Sequence, residues 1–399
     1  MVRNYIQKVY GGISLEIWIL ASAMLINRCG SMVLVFLNVY LVKEKHLSIS
    51  ESGLILSLYG LGSLAGAYVG GKLVDAIGFY PILFLSLFCT GTSIIVLGQA
   101  STFETIAPLA FLVTFFADSF RPANSASITN YSKKEDYTRS IALNRLAMNI
   151  GFFISPTLGG VLATKSYQWL FWVDGITSIL AGVFIVVFLK KPLVSLVSKL
   201  KNSAVTKMNP YKDVTYLKFI LFVTLYATLF FQFFTSFPLF FKESYQYSEK
   251  KIGMIMAING LGVALIEMFL IHYIQNRWTK FKFMGLGSLL LLGSFAVYLF
   301  PQHLSVVLVS ILLITFSEMF AMPFMSTYAM SSAPPDSIGR YSALYSMAWS
   351  LALIISPLIG SGIIDHFGFQ VLWIVLAVLG FVSFLGFRYL DKLSTKANL

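Results

Sequence analysis

Ser155-Pro156-Thr157-Leu158-Gly159-Gly160 and Ser356-Pro357-Leu358-Ile359-Gly360-Ser361 are two copies of one pattern, 201 residues apart. Outward from them the same offset recurs. Pro122 stands 17 residues before Arg139, Arg139 stands 17 before Pro156, and Trp172 follows 16 later. Pro323, Arg340, Pro357 and Trp373 keep those spacings. Further upstream the register slips by one: Gly53 matches Gly253, and Gly60-Leu61-Gly62 matches Gly260-Leu261-Gly262. In a membrane-class chain, a parallel repeat of this length predicts two stacked helical bundles with a site between them.

The composition is of that class. The 399 residues are 57% hydrophobic and 12% charged, with a mean hydropathy of +0.79, whereas soluble domains carry about 25% charged residues. Twelve apolar segments run at about 14–41, 52–71, 79–98, 103–129, 139–163, 167–190, 215–241, 249–272, 281–300, 304–330, 338–363 and 367–388. Each is long enough to cross roughly 30 Å of hydrocarbon as a helix. The expected fold is all-α and polytopic, with twelve transmembrane helices in two pseudo-symmetric six-helix bundles. Residues 1–190 form the first bundle and 215–399 the second. The linker at 191–214 falls in a polar stretch, Lys190 to Thr215, that carries six lysines.

A net charge of +12 would suit a nucleic-acid partner, but the basic residues sit mostly between the apolar segments. With both termini cytoplasmic, the inner side holds twenty of the 29 Lys and Arg, among them Arg3, Lys8, Lys133, Lys134, Lys190, Lys191, Arg277, Lys280 and Arg340. The outer side holds six: Lys43, Lys45, Lys165, Lys242, Lys250 and Lys251. That asymmetry sets the orientation of a multi-pass cell-membrane protein whose partner is the lipid bilayer. Arg28, Arg121 and Arg145 remain within spans.

Residues 1–13 lack the cleavage site of a signal peptide. Cys29 and Cys89 fall within spans, so no disulfide framework is implied. His46, His272, His303 and His366 lie far apart, without metal-ligand spacing. No nucleophile–base pair or metal cluster stands out, so no enzyme, metal or cofactor is expected. Gly62, Gly66 and Gly70 form a small-residue face on the second segment, compatible with static packing or with sliding. Pro122, Pro156, Pro238, Pro323 and Pro357 lie inside spans, as architectural bends or as gating hinges. Ala333-Pro334-Pro335-Asp336 reads as a turn before the eleventh segment.

Between the second and third segments stands Gly71-Lys72-Leu73-Val74-Asp75-Ala76-Ile77-Gly78. This resembles the loop motif of the major facilitator superfamily, Gly-x-Leu-x-Asp-x-x-Gly, with Phe79 and Tyr80 where basic residues usually follow. The resemblance implies that Asp75, with Gly71 and Gly78, forms a cytoplasmic latch, for which Arg139 is a possible partner. The corresponding loop of the second half, around Gln275 to Lys280, has no clear counterpart. Ser155 to Gly160 looks like the Gly-Pro-x-x-Gly-Gly motif of drug:proton antiporters, which makes Pro156 and Gly160 gating residues by resemblance. Arg121-Pro122-Ala123-Asn124-Ser125-Ala126 and Ala142-Leu143-Asn144-Arg145 are similar to bacterial multidrug-efflux members. The arginine such antiporters carry early in their fourth helix is missing, since 110–117 hold no charge. Asn27-Arg28 falls where the peptide-uptake branch carries Glu-Arg, but Met24 and Asn27 replace its two glutamates.

Three charges stand near mid-span: Arg28, Asp118 and Glu318. A charge at the bilayer centre costs roughly 2.5–3.5 kcal/mol on translocon scales, so it faces a cavity or a partner. In the resembling fold, helices one, four, seven and ten line the cavity. That places Asn27, Arg28, Arg121, Gln232, Phe233 and Glu318 at the substrate, beside Phe230, Phe231 and Phe234. A carboxyl's proton affinity depends on desolvation and on nearby guanidinium groups, and arginine keeps its own proton. Glu318 is therefore the expected proton carrier, facing Arg28, while Asp118 and Arg121 form a structural or secondary pair. A static buried network is the alternative. Arg145, Asp174 and Glu267 are expected to make interhelical polar contacts or to snorkel; Lys242 and Glu243 are expected to be solvated. The reading is a monomeric, proton-coupled exporter of amphipathic small molecules, with proton-coupled uptake of peptides or another small metabolite as the alternative.

Overall fold

The computed structural model describes residues 12–133, 136–191, 210–274, 277–332 and 338–397. Most of the expected linker, Lys134, the Ala333-Pro334-Pro335-Asp336 turn, part of the loop from Gln275, and the side chains of His272 and Arg340 lie outside that description. Each of the twelve apolar segments has a helical counterpart. In the first half these are α1 Leu15–Gly30 with α2 Val33–Lys43, α3 Ile49–Ile77, α4 Phe79–Gln99, α5 Phe103–Tyr131, α6 Tyr137–Ala163 and α7 Gln168–Phe188. The second half contains α8 Val214–Thr235 with α9 Phe237–Glu243, α10 Glu249–Ile274, α11 Lys280–Ala296, α12 Leu304–Ser331 and α13 Ile338–Ala397. Within α13, Gly368 adopts φ 79°, which ends one helix and starts the next. Ten stretches of the described residues are long and apolar enough to cross a membrane, with the α13 pair counted as one.

Local chemistry explains several ends. Ser48 and Glu51 form a reciprocal capping box at the start of α3. After the first and seventh spans the chain turns through residues with positive φ, His46 at 56° and Gln246 at 53°. Leu47 N then donates to Leu41 O and Tyr247 N to Phe241 O, both at 3.1 Å, which closes the two helix ends in the same way. The repeat thus extends to the turns.

It also builds the contact between halves. α3 packs on α13, and α6 packs on α10. A methyl on Gly53 would stand 3.1 Å from Pro357 O, and one on Gly253 would stand 2.9 Å from the carbonyl carbon of Pro156. Likewise, one on Gly60 would meet Leu353 O at 2.8 Å, and one on Gly260 would meet Phe153 N at 2.9 Å. Each glycine of one copy therefore meets the proline-bearing helix of the other, in two matched seams. The Gly62, Gly66 and Gly70 face packs elsewhere. It lies on Phe111, Phe115 and Ser119 of α5, inside the first half.

One repeat match is a coincidence of spacing. Trp172 is 42% exposed and Trp373 is 1% exposed. Phe171 lies 4.8 Å from Tyr40, as Trp373 lies 4.8 Å from Phe240. By its ring contact Phe171 is the counterpart of Trp373, one residue away from the 201-residue offset.

The buried apolar residues form two clusters. One joins the end of the first half that holds Phe36, Tyr40, Leu97 and Phe171 to the second half through Phe233, Phe240 and Trp373. The other holds only the opposite end of the first half, with Leu20, Leu83, Phe120 and Ile185. The core is thus continuous across the halves at one end of the body and divided at the other.

Candidate functional site

The first span breaks between Gly30 and Val33, where Met32 N turns back to Gly30 O at 2.6 Å. Such a break frees backbone donors in a place without water. Asp174 of α7 takes one of them: its Oδ2 accepts from Val33 N at 3.2 Å, and the residue is 5% exposed. Asp174 thus makes an interhelical contact deep in the first half and does not snorkel. Arg28 sits in the last turn before the break. Its guanidinium lies over the Phe152 ring, 5.4 Å from the centroid. Gly151 permits this approach, since a methyl there would come within 2.9 Å of the Arg28 carbonyl carbon. The Arg28 Nε is sealed from solvent and has no hydrogen-bond partner among the described residues. Asp118 pairs with Arg121 across one turn, Nε to Oδ1, at 2.6 Å. Asp118, Arg121, Asp174 and Tyr59 are all electrostatic neighbours of Arg28.

Glu318 has a different setting. Its Oε2 accepts from Asn259 Nδ2 at 3.1 Å, and the same amide reaches Thr315 Oγ1 at 3.2 Å. Among the described residues no cation forms an ion pair with it. The expectation that Arg28 faces Glu318 is not met in this state. The electrostatic neighbours of Glu318 are Glu267 and Arg145, and those two pair across the α6–α10 seam at 3.2 Å. Arg145 and Glu267 thus make an interhelical contact, and it joins the halves.

Three expected cavity residues are committed to packing. Asn27 Nδ2 donates to Ser178 Oγ at 3.1 Å and ties α1 to α7. Gln232 is fully buried; its amide donates to Ser356 O at 2.8 Å and its oxygen accepts from Ser236 Oγ at 2.5 Å. It supports the break between α8 and α9, which mirrors the break in the first span. Phe233 is 2% exposed and packs on Phe234 and Phe237. Partly exposed aromatics lie instead at Phe231 and Phe234 of α8 and at Tyr345 and Trp349 of α13, with Phe231 and Trp349 5.9 Å apart. The row Tyr341, Tyr345, Trp349, at four-residue spacing, was the signal for them in the sequence.

At the ends near Lys43 and Lys242, two residues expected to be solvated, Lys242 and Glu243, are instead in ion pairs. Lys43 and Glu243 pair across the halves at 2.7 Å, and Lys242 pairs with Glu249 at 2.6 Å. Tyr167 Oη donates to Glu249 Oε1 at 2.8 Å, and Asn38 donates to Thr235 O while accepting from Ser52 Oγ. Lys43 and Glu243 occupy matching repeat positions with opposite charge, which is what a self-facing contact requires. Among the described residues, no hydrogen bond or ion pair joins the halves nearer their inner ends than Arg145–Glu267.

The family model described as the Major Facilitator Superfamily matches residues 20–357. The chain belongs to the major facilitator superfamily. It is 25% identical to the uncharacterized MFS-type transporter YttB of Bacillus subtilis, over 94% of each chain. It is 26% identical to a Na(+), Li(+), K(+)/H(+) antiporter of Planococcus maritimus, over 92% of this chain and 94% of that one. With the quinolone resistance protein NorA of Staphylococcus aureus it shares 23%, over 84% and 86%. Among solved structures, the nucleoside transporter NupG superposes with a TM-score of 0.78 at 14% identity, covering 94% of this chain and all of that one. A POT family transporter in complex with 5-aminolevulinic acid gives 0.80 at 14%, covering 97% of each. Those likenesses are of fold.

Within the superfamily frame, the loop motif is intact and unengaged. Gly78 takes φ 86° to close α3, and neither it nor Gly71 has an atom within 4 Å of a built methyl. Asp75 is exposed and makes no ion pair among the described residues, while Arg139 pairs with Asp136. Pro156 and Gly160 lie in the α6–α10 seam, a methyl on Gly160 standing 3.1 Å from Lys250 Cα.

Proposed function

We propose that this chain is a proton-coupled antiporter, working by alternating access as a monomer in the cell membrane with both termini cytoplasmic, and that it exports amphipathic small molecules. The observation that carries this reading is Glu318: a carboxyl on a membrane span, held by the Asn259 amide, with no ion-paired cation among the described residues. Proton affinity of such a group follows its access to water and its distance from Arg145. Rocking of the halves changes both. In the outward-open state Glu318 takes a proton and substrate leaves; after return, the proton is released inside and new substrate binds. Arg28, the Asp118–Arg121 pair and the aromatic faces of α8 and α13 offer a polar and an apolar wall to an amphipathic molecule. The likeness to the quinolone resistance protein NorA and to the Planococcus cation/proton antiporter supports this direction.

Cells producing the protein are expected to accumulate less of a lipophilic cationic dye than control cells, and a protonophore is expected to remove the difference. Equal accumulation in producing and control cells defeats the export reading. Proton-stimulated peptide accumulation in producing cells would establish the uptake alternative instead.

A further inference from the structure

The ends of α11 and of the last helix in α13 enclose a cavity of about 340 Å³ on the face away from the seams. Its lining is Trp278, Lys282, Gly285, Phe384, Arg388, Asp391 and Lys392. Lys282, Arg388 and Lys392 are exposed, and none has a carboxylate partner among the described residues; Arg388 instead lies over the Phe384 ring, 5.6 Å from its centroid. The one acid of the lining, Asp391, accepts from Thr279 Oγ1 and is turned to the helix cap. Three cations against one carboxylate leave the cavity positive.

The surroundings of the charge identify its ligand. Trp278, 54% exposed, marks the level where an indole meets the head groups. Further along the same helices Leu289, Val378, Phe381, Val382 and Leu385 are exposed and apolar, which is a path for hydrocarbon. A basic pocket at the membrane surface, floored by Gly285 and Phe384 and continued by an apolar groove, has the chemistry of a phospholipid with an anionic head group.

We propose that this cavity binds one anionic phospholipid, its phosphate held by Lys282, Arg388 and Lys392 and an acyl chain laid along Phe381 and Leu385. The site lies outside the path between the halves and does not depend on what is transported. It gives the second half a fixed lipid partner.

Native mass spectrometry of the detergent-purified full chain, titrated with dioleoylphosphatidylglycerol, dioleoylphosphatidylcholine or inorganic phosphate, tests this. The wild type should bind the anionic lipid at least about tenfold more tightly than the zwitterionic one, and each of Lys282→Gln, Arg388→Gln and Lys392→Gln should weaken it by about fivefold. The triple variant should lose the preference. Arg277→Gln with Lys280→Gln removes two cations at the same level but outside the cavity, and should keep it. Equal binding of the two lipids by the wild type overturns the proposal. So does an equal loss in the Arg277/Lys280 variant, which would reduce the effect to a general surface field. Displacement of the bound lipid by equimolar inorganic phosphate also overturns it, since the pocket would then be a free-anion site. If the triple variant does not fold, the single substitutions decide.

Discussion

The two halves of this protein share a scaffold and differ in charge. Gly53 and Gly253, Gly60 and Gly260, Pro156 and Pro357 occupy equivalent places and make equivalent seams. The intramembrane charges do not repeat. The first half gathers Arg28, Asp118, Arg121 and Asp174 around one broken helix; the second has Glu318 on Asn259, with the nearest guanidinium lent by Arg145 of the first half. Where Asp118 stands in one copy, Met319 stands in the other. In the proposed cycle the repeat supplies the matched surfaces, and the departures from it carry the coupling. In the first half two carboxylates are already occupied, Asp118 by a cation and Asp174 by a backbone donor. Glu318 has only an amide.

The sharpest way to break this comparison is to neutralise one carboxyl in each half. Glu318→Gln should reduce gradient-driven export in everted vesicles to the level of a vector control, while downhill exchange of the same dye persists. Asp118→Asn should keep coupled transport. If Asp118→Asn uncouples and Glu318→Gln does not, the roles of the halves are reversed, and full coupled transport in both removes the carboxyl mechanism.

The scaffold side of the comparison is tested at the seams. Gly53→Val and Gly253→Val each force a branched side chain against backbone of the opposite half, at a cost of about 1–3 kcal/mol for overpacking. Both should lower thermal stability in detergent and slow transport, and by similar amounts, because the two seams are copies. A large effect at one glycine with none at the other would show that the halves turn about one seam only.

The smallest effects concern the ends. An exposed ion pair contributes about 0–1 kcal/mol, so Lys43→Gln should raise outward opening by about two- to fivefold, as read by labelling of a cysteine placed at the outer end of α2. Asp75→Asn should act in the opposite sense. It would weaken a latch that is formed only when the inner side closes, slowing transport with normal expression. Wild-type rates in Asp75→Asn would remove that role from the loop.

Much of this was legible in the chain because a helix repeat is written in residues that act locally. Gly53, Gly60, Pro156 and their mates limit how close a neighbouring backbone can come, and that limit shows in one dimension. Gln232 was misplaced because an amide within an apolar run looks the same whether it faces a cavity or repairs a broken helix; only the position of Ser356 and Ser236 decides. Asp174 was hidden for a related reason: the donor it satisfies, Val33 N, exists only because the first span breaks. The Lys242–Glu249 pair and the partner of Glu243 depend on which loops meet when the outer side closes, and that is a property of a state. Trp172 and Trp373 show the opposite hazard. A one-residue shift of register let two tryptophans in different surroundings share a spacing.

The Arg145–Glu267 bridge has a consequence for assembly. Because the seams are copies, the Gly53 face of a first half has the same glycine spacing as the Gly253 face that its own Pro156 helix meets. A first half set against another first half would meet that spacing too. The repeat position that corresponds to Glu267 in the first half is Ala67. Pairing two first halves would leave Arg145 in the seam without its acid, a cost that the correct second half removes. One unrepeated carboxylate in a repeated interface tells the chain which half is its own.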